Sequence, residues 1–353
     1  MVRILSLVDC EKLNRFQVQV KEVIMFFRIF FCLSLTSLPA MAEPPVLQLP
    51  IDCELGKTCF IQQYMDLDDS KNVRDFGCGT ASYDGHKGTD FRLLTIQDME
   101  DGVNVIASAS GRVQGTRNTV VDKILKTPED RAAIKGKECG NGLVLKHADG
   151  WETQYCHLKQ GSVTVKKGQS IEVGDVLGQV GLSGQTQFPH VHLSVRHNGK
   201  KVDPFLNPNK TVQCGELPIG NLWAEDLQER LAYQPTQIIN LGFADGPITV
   251  NDIDNKTFQN FTPSRKTAAL VGYVRAINLN AGDQVRITLS NEKGEIITNT
   301  YDPLERRKAV QFNFAGKKAP RGGWIAGEYI VTAEILRNDH VLIKRVLKRK
   351  ILE

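Results

Sequence analysis

The stretch QTQFPHVHLSV, residues 185–195, puts His190 and His192 two positions apart in a run that alternates like a β-strand. In an extended strand alternate side chains point the same way, so the two imidazoles share a face with Cα atoms roughly 6.6 Å apart. Both can reach one small site. Pro189 fixes the backbone just ahead of the pair, and Val191, Leu193 and Val195 fill the other register, which marks the strand as buried on at least one side. A pair of polar residues on a solvated face would give the same spacing. The choice between the two readings depends on what else in the chain is aimed at that spot.

A second cluster lies upstream in YDGHKGTDF, residues 83–91, where His86 and Asp90 are four apart. Gly85, Gly88 and the β-branched Thr89 argue against a helix here, and on a straight strand the two side chains would stand roughly 13 Å apart, too far for one metal. Gly88 is expected to supply the bend that lets them converge. The third element is His157 in ETQYCHL, where strand alternation sends Tyr155 and His157 one way and Cys156 the other, free for a disulfide behind the site. Singly these are weak signals. Together, His86, Asp90 and one histidine of the 190/192 pair offer two nitrogens and one carboxylate, the donor set of a catalytic zinc that keeps its fourth position for water. The remaining histidines can move the proton and stabilise an oxyanion. A structural zinc would close its fourth position with protein and leave the other histidines without a role.

The order H-x3-D, YCHL, PHVHL, with the GNGLVLKHADGWETQY hairpin between, resembles the M23 family of zinc metallopeptidases, the lysostaphin and LytM-type peptidoglycan endopeptidases. The likeness covers about residues 78–207, and all five motif residues are intact. It implies one Zn2+ per chain held by His86, Asp90 and His192, with His157 and His190 as the catalytic pair and peptide cross-links of peptidoglycan as the substrate class; Tyr155 and Asn141 are the residues expected to contact substrate. Phe188 stands where the family usually has glycine, and the stretch 115–139 is longer than usual; both bear on the rim of the cleft. Two other functions fit the same motifs. One is a non-catalytic M23-like domain that binds peptidoglycan or activates another cell-wall hydrolase. The other is a zinc-binding structural or adhesion protein, which needs a site closed to substrate.

The N-terminus carries MFFRIFFCLSLTSLPAMA, residues 25–42: a basic residue, an apolar run from Ile29 to Leu38, and Ala40-Met41-Ala42. That pattern is a secretory signal peptide over 1–42, and the 24 residues before Met25 exceed an ordinary n-region, so the expected translation start is Met25. Ten apolar residues do not span a bilayer, so no stable membrane insertion is expected after cleavage. Removing 1–42 takes away five basic and three acidic residues and lowers the formal net charge from +4 to +2, which leaves no field to recruit nucleic acid. Six of the eight cysteines remain: Cys53, Cys59, Cys78, Cys139, Cys156 and Cys214. In a periplasmic or secreted chain without a C-x2-C pair, an even count points to disulfides. The first pairing expected is Cys53 with Cys59, whose short spacer closes readily.

The 353 residues suggest two domains of ordinary globular composition. Short strands punctuated by turns predict an all-β fold: a LytM-like β-sheet metallopeptidase domain over 43–214, then a connector over 215–240, then a smaller immunoglobulin-like β-sandwich over 241–353. A hairpin closed by Asp149-Gly150 lies in the first domain, interrupted by a helical turn starting near Thr127. In the connector, Leu222, Leu227 and Leu231 recur at helical spacing between Asn221 and Pro235. The sandwich should contain a hairpin at Lys293-Gly294 and a strand burying Tyr329, Val331, Ala333 and Ile335. Its basic C-terminal run fits an edge strand that uses charge against pairing. Every motif residue precedes 214, so a truncation near there is expected to keep some activity.

Overall fold

The computed structural model describes residues 43–207 and 220–352. The expected signal peptide, its start at Met25, and Cys214 lie outside the described residues.

Strand β9 (His190–His197) organises the first sheet, with β2 (Thr89–Leu93) on one side and β6 (Trp151–Leu158) on the other. The order is β1 (Cys59–Gln63), β2, β9, β6, β5 (Asn141–Lys146), β4 (Gly111–Arg117) and β7 (Ser170–Ile171), and β10 (Lys200–Val202) adds to the free length of β9. Strands β3 (Asn104–Ile106) and β8 (Val176–Gln179) pair separately. Alternation does the sorting expected of a half-buried sheet. Phe91, Leu93, Val191, Leu193 and Val195 enter the core, and the intervening Asp90, Arg92, His190 and His192 face the other way, paired Asp90 with His192 and Arg92 with His190. The hairpin between β5 and β6 turns at Asp149 and Gly150, both at positive φ. Helix α1 (Ile96–Asp101) follows β2. The expected helical turn is α2 (Pro128–Ala133), where the Thr127 and Asp130 side chains form a reciprocal capping box.

The connector differs from its expected form. Leu222 and Ala224 exchange backbone hydrogen bonds with Leu47, so the chain is extended there and cannot start a helix before 225. Among the described residues of the connector a single 3-10 turn, Glu225–Leu227, is the only helical element. Its leucines are nonetheless buried: Leu222, Leu227 and Leu231, together with Trp223, belong to the same core as β2 and β9. Burial of a large apolar side chain is worth about 1.5–3 kcal/mol. A cut near 214 removes all four, so the expectation that such a truncation keeps activity does not suit this fold.

The C-terminal strands begin at Gln237 rather than at 241. A three-stranded sheet, β11 (Gln237–Ala244), β12 (Ala269–Leu279) and β15 (Lys308–Lys318), faces a four-stranded one in the order β14 (Gly294–Thr300), β13 (Gln284–Asn291), β16 (Gly327–Arg337), β17 (His340–Ile351). Phe243, Leu270 and Val274 from the first share one core with Ile287, Leu289, Val331 and Ile335 from the second. The seven strands thus form a sandwich, and its fourth strand pairs with the third, whereas the immunoglobulin constant order puts it beside the fifth. The basic run lies on β17, an edge strand, where Lys344 and Lys348 pair with Glu334 and Glu328.

The sandwich and the first sheet are joined through buried contacts. Phe60, Ile239 and Ile277 form a shared cluster, Asn278 Nδ2 donates to the Gln62 carbonyl at 2.6 Å, and Arg275 spans Asp254 of α3 (Val250–Asp254) at 2.7 Å and the Leu94 carbonyl.

One buried acid lacks compensation. Asp203 Oδ1 accepts the Phe205 N–H at 2.9 Å, and Oδ2 has no partner among the described residues. Burial, with help from the nearby Asp75 charge, pushes its carboxyl from 3.8 up to about 7. The folded chain therefore keeps a proton that the unfolded chain releases, so this stabilising contribution is full below about pH 4 and is lost as pH rises to about 7. Asp203→Asn should remove that slope: its melting temperature, followed by circular dichroism, should gain on the wild type between pH 4 and 8. Parallel melting curves across that range would contradict the assignment.

Candidate metal centre

Asp90 and His192 face each other across β2 and β9, and paired residues project to the same side. His86 reaches them from the loop before β2. The loop can come this close because residue 88 is glycine: a Cβ there would stand 2.3 Å from the Leu193 carbonyl oxygen and 2.8 Å from His192 Nε2. Gly88 sits at the expected bend, with φ not positive, and its missing Cβ permits the close approach; Gly85, at φ 73°, turns the chain just ahead of His86.

His86 Nε2 lies 3.1 Å from Asp90 Oδ1 and 3.1 Å from His192 Nδ1, which is 2.8 Å from the same carboxylate oxygen. The outer nitrogens of both rings are engaged. His86 Nδ1 donates to the Tyr64 carbonyl at 2.7 Å. His192 Nε2 donates to Ser194 Oγ at 2.9 Å, and that hydroxyl donates onward to the Lys87 carbonyl at 3.0 Å. A neutral imidazole has one N–H, so both inward nitrogens present lone pairs beside an anionic oxygen. Burial opposes the charge on Asp90, yet His86 and His190 hold its carboxyl well below the usual range. Burial pushes His192 below its ordinary value, which favours the neutral ring. Three donor atoms converge within 4.8 Å of one another, an arrangement that suits a cation. Two nitrogens and one carboxylate oxygen, each ring oriented by an outer hydrogen bond, fit zinc.

His157 and His190 flank this cluster with ring centroids 4.6 Å apart. His190 Nε2 is 3.5 Å from Asp90 Oδ1, and its Nδ1 donates to the Phe188 carbonyl at 2.9 Å. His157 Nδ1 donates to the Ser183 carbonyl at 2.8 Å. Each ring thereby presents Nε2 as an acceptor. Burial, then the charges of His190 and His192, push His157 well below the ordinary imidazole value, so it is neutral at neutral pH.

The simple alternation expected along β6 breaks at His157, whose φ is +65°. Tyr155 pairs with Leu193 and Cys156 with His192, so Tyr155 faces the core and the cysteine shares the side of the metal cluster. Cys156 is disulfide-linked to Cys139, and Cys53 to Cys59; Cys78 is disulfide-bonded as well. Tyr155 is fully buried, its hydroxyl accepting the Ser108 N–H at 2.8 Å. Asn141 is also fully buried, its amide bonded to both backbone groups of Val120 and to the Leu158 carbonyl. Neither can line a substrate path, and the expectation for both is corrected. Asn141 instead anchors the 115–139 insertion to the sheet.

A cleft of about 480 Å³ opens onto Asp90, His157 and His190. Ile124, Leu125 and Arg131 of the insertion form one wall, and Val250, Arg275, Arg307 and Val310 of the C-terminal module form another. Two residues on this surface escaped the sequence reading. Tyr83 is half-exposed with its ring 4.5 Å from that of His86. Arg92 follows Asp90 by two positions, and the same period-2 rule that grouped His190 with His192 would have found it.

The description "Peptidase family M23" matches residues 84–204. Among curated proteins, the chain is 34% identical over 131 residues to the cell division protein DipM of Caulobacter vibrioides, covering 35% of this chain and 18% of that protein. It is 30% identical over 118 residues to the peptidoglycan DD-endopeptidase ShyA of Vibrio cholerae, covering 33% of this chain and 22% of that protein. The chain thus spans about a fifth of the length of these relatives. Among solved structures, a zinc-containing peptidase from Vibrio cholerae aligns with 46% of this chain and 37% of that one, at 24% identity and a TM-score of 0.29.

Replacing His86 or Asp90 by alanine removes one of three donors, so neither variant should hold zinc after dialysis, whereas His157→Ala should retain about one ion per chain. Metal content by plasma emission spectroscopy decides this; full zinc in His86→Ala or Asp90→Ala would contradict the donor set.

Proposed function

From the match of residues 84–204 to peptidase family M23, we propose that the chain is a zinc-dependent endopeptidase acting on the peptide cross-links of peptidoglycan in the periplasm or outside the cell. The observation that carries the reading is the cleft over His157 and His190: a complete donor set with two further imidazoles beside it opens onto a space large enough for a peptide. That favours catalysis over a structural or adhesive zinc site, which needs no such opening. The name of the ShyA relative supports the substrate class. Among the described residues no helix is long and apolar enough to cross a membrane.

His86 Nε2, Asp90 Oδ1 and His192 Nδ1 would hold the ion, which when bound supplies a Lewis acid that acidifies water and polarises a carbonyl. His157 and His190 do the remaining work. Their Nδ1–H groups are fixed on the Ser183 and Phe188 carbonyls, so each ring keeps Nε2 directed at the reacting peptide. One accepts the proton of the attacking water at Nε2 and returns it to the leaving amine, and the other orients that water by accepting a hydrogen bond from it at Nε2. The insertion and the C-terminal module restrict access to the cleft, so they select which cross-link enters.

Incubated with purified sacculi, the zinc-loaded mature chain should release soluble peptide fragments while leaving the glycan strands unbroken. A chelator should stop the release and added zinc restore it. His157→Ala should lose on the order of 10² to 10⁴ in turnover with its zinc retained. A zinc-loaded protein that binds sacculi and releases no peptide from walls of several types would instead favour the non-catalytic reading, a domain that binds peptidoglycan or activates another hydrolase.

A further inference from the structure

The cleft contains a buried cation that the proposed chemistry does not use. Arg92 is 2% exposed and lies on the same sheet face as Asp90, paired across the strands with His190. Its Nε donates to the Leu93 carbonyl at 3.0 Å and Nη1 to Gln62 Oε1. Nη2 has no hydrogen-bond partner, and no carboxylate lies within salt-bridge distance of the guanidinium, among the described residues. The two anions on the cleft wall are engaged elsewhere: Asp90 in the metal cluster and Asp254 with Arg275 at 2.7 Å. Arg131 and Arg307 add further positive charge to the lining of the cleft.

Holding a charged group out of water without a counter-ion is costly, and the guanidinium here is pinned by neutral groups in a fixed pose. Phe188 completes the mount. Its ring lies 4.7 Å from the Arg92 guanidinium carbon and 4.6 Å from the His190 ring, so one side chain sets the cation against the proposed catalytic imidazole. Lining the cleft, with donors to spare and, among the described residues, no carboxylate within ion-pair distance, Arg92 has the form of a receptor for a planar anion.

We propose that Arg92 receives a free carboxylate of the substrate peptide and thereby fixes which peptides are positioned for cleavage. The inference rests on the peptidase reading and names the feature its substrate must carry. Residues two apart on a strand stand roughly 6.6 Å from each other, about the length of two extended peptide residues. The carboxylate therefore lies within about two residues of the bond presented to the metal centre. A peptide amidated at that position keeps its shape and loses the charge that Arg92 reads.

The test uses the zinc-loaded mature chain and two soluble probes, a stem tetrapeptide ending in a free D-alanine carboxylate and its C-terminal amide, with binding measured by titration calorimetry. A charge-assisted hydrogen bond is worth about 1.5–3 kcal/mol, so the acid should bind roughly ten- to a hundredfold more tightly than the amide. Arg92→Gln should abolish that preference by weakening the acid alone, and Arg92→Lys should keep part of it. The comparison of acid with amide on the unaltered chain does not depend on how any variant folds. Equal affinity for the two probes, binding of neither, or an acid preference that survives Arg92→Gln would overturn the assignment. Should the preference vanish in Arg92→Gln while sacculi remain uncut, the role of Arg92 stands and the proposed hydrolysis falls.

Discussion

The pairing of Asp90 with His192 across β2 and β9 is the constraint on which the site depends. Side chains on a strand alternate, so a slip of one residue would send Asp90 or His192 into the core and bring Phe91 or Val191 out. The apolar residues between the ligands prevent that slip: Phe91, Val191 and Leu193 are all fully buried. Core packing thereby fixes the position of the donors. Gly88 extends the same constraint to His86, because only a residue without Cβ lets the preceding loop close onto Leu193 and His192.

Much of this was legible in the chain itself. Period-2 alternation located the strands and grouped His190 with His192, Asp149-Gly150 located the hairpin turn, and the short spacer of Cys53 and Cys59 suggested their bond. The misreadings have local causes. Tyr155 was assigned a face by counting along β6, but its cross-strand partner is the core residue Leu193, and the positive φ of His157 breaks the count. Asn141 looked available because nothing in its neighbourhood reveals that Val120 from the insertion would take its amide. The leucines of the connector have helical spacing, yet backbone pairing with Leu47, a partner far away in sequence, makes the segment extended.

The two halves of the chain are less separable than a boundary near 214 or 241 suggests. The connector completes the core of the first sheet, and the sandwich contributes Arg275 and Arg307 to the wall of the cleft. Arg275 also ties Asp254 to the Leu94 carbonyl, just past the end of β2, so a shift of the sandwich would reach the strand that carries Asp90 and Arg92. In this arrangement the C-terminal module, the 115–139 insertion and Phe188 all shape the cleft.

The central claim is that His86, Asp90 and His192 form the metal-binding set while His157 and His190 remain free for proton transfer. X-ray absorption at the zinc edge of the loaded protein tests it most directly, with a His190→Ala variant beside the unaltered chain. The account predicts two imidazole nitrogens at about 2.0–2.1 Å with light oxygen donors in the remaining positions, and the same spectrum from the variant. A third imidazole in the unaltered chain, or the loss of one in His190→Ala, would contradict it.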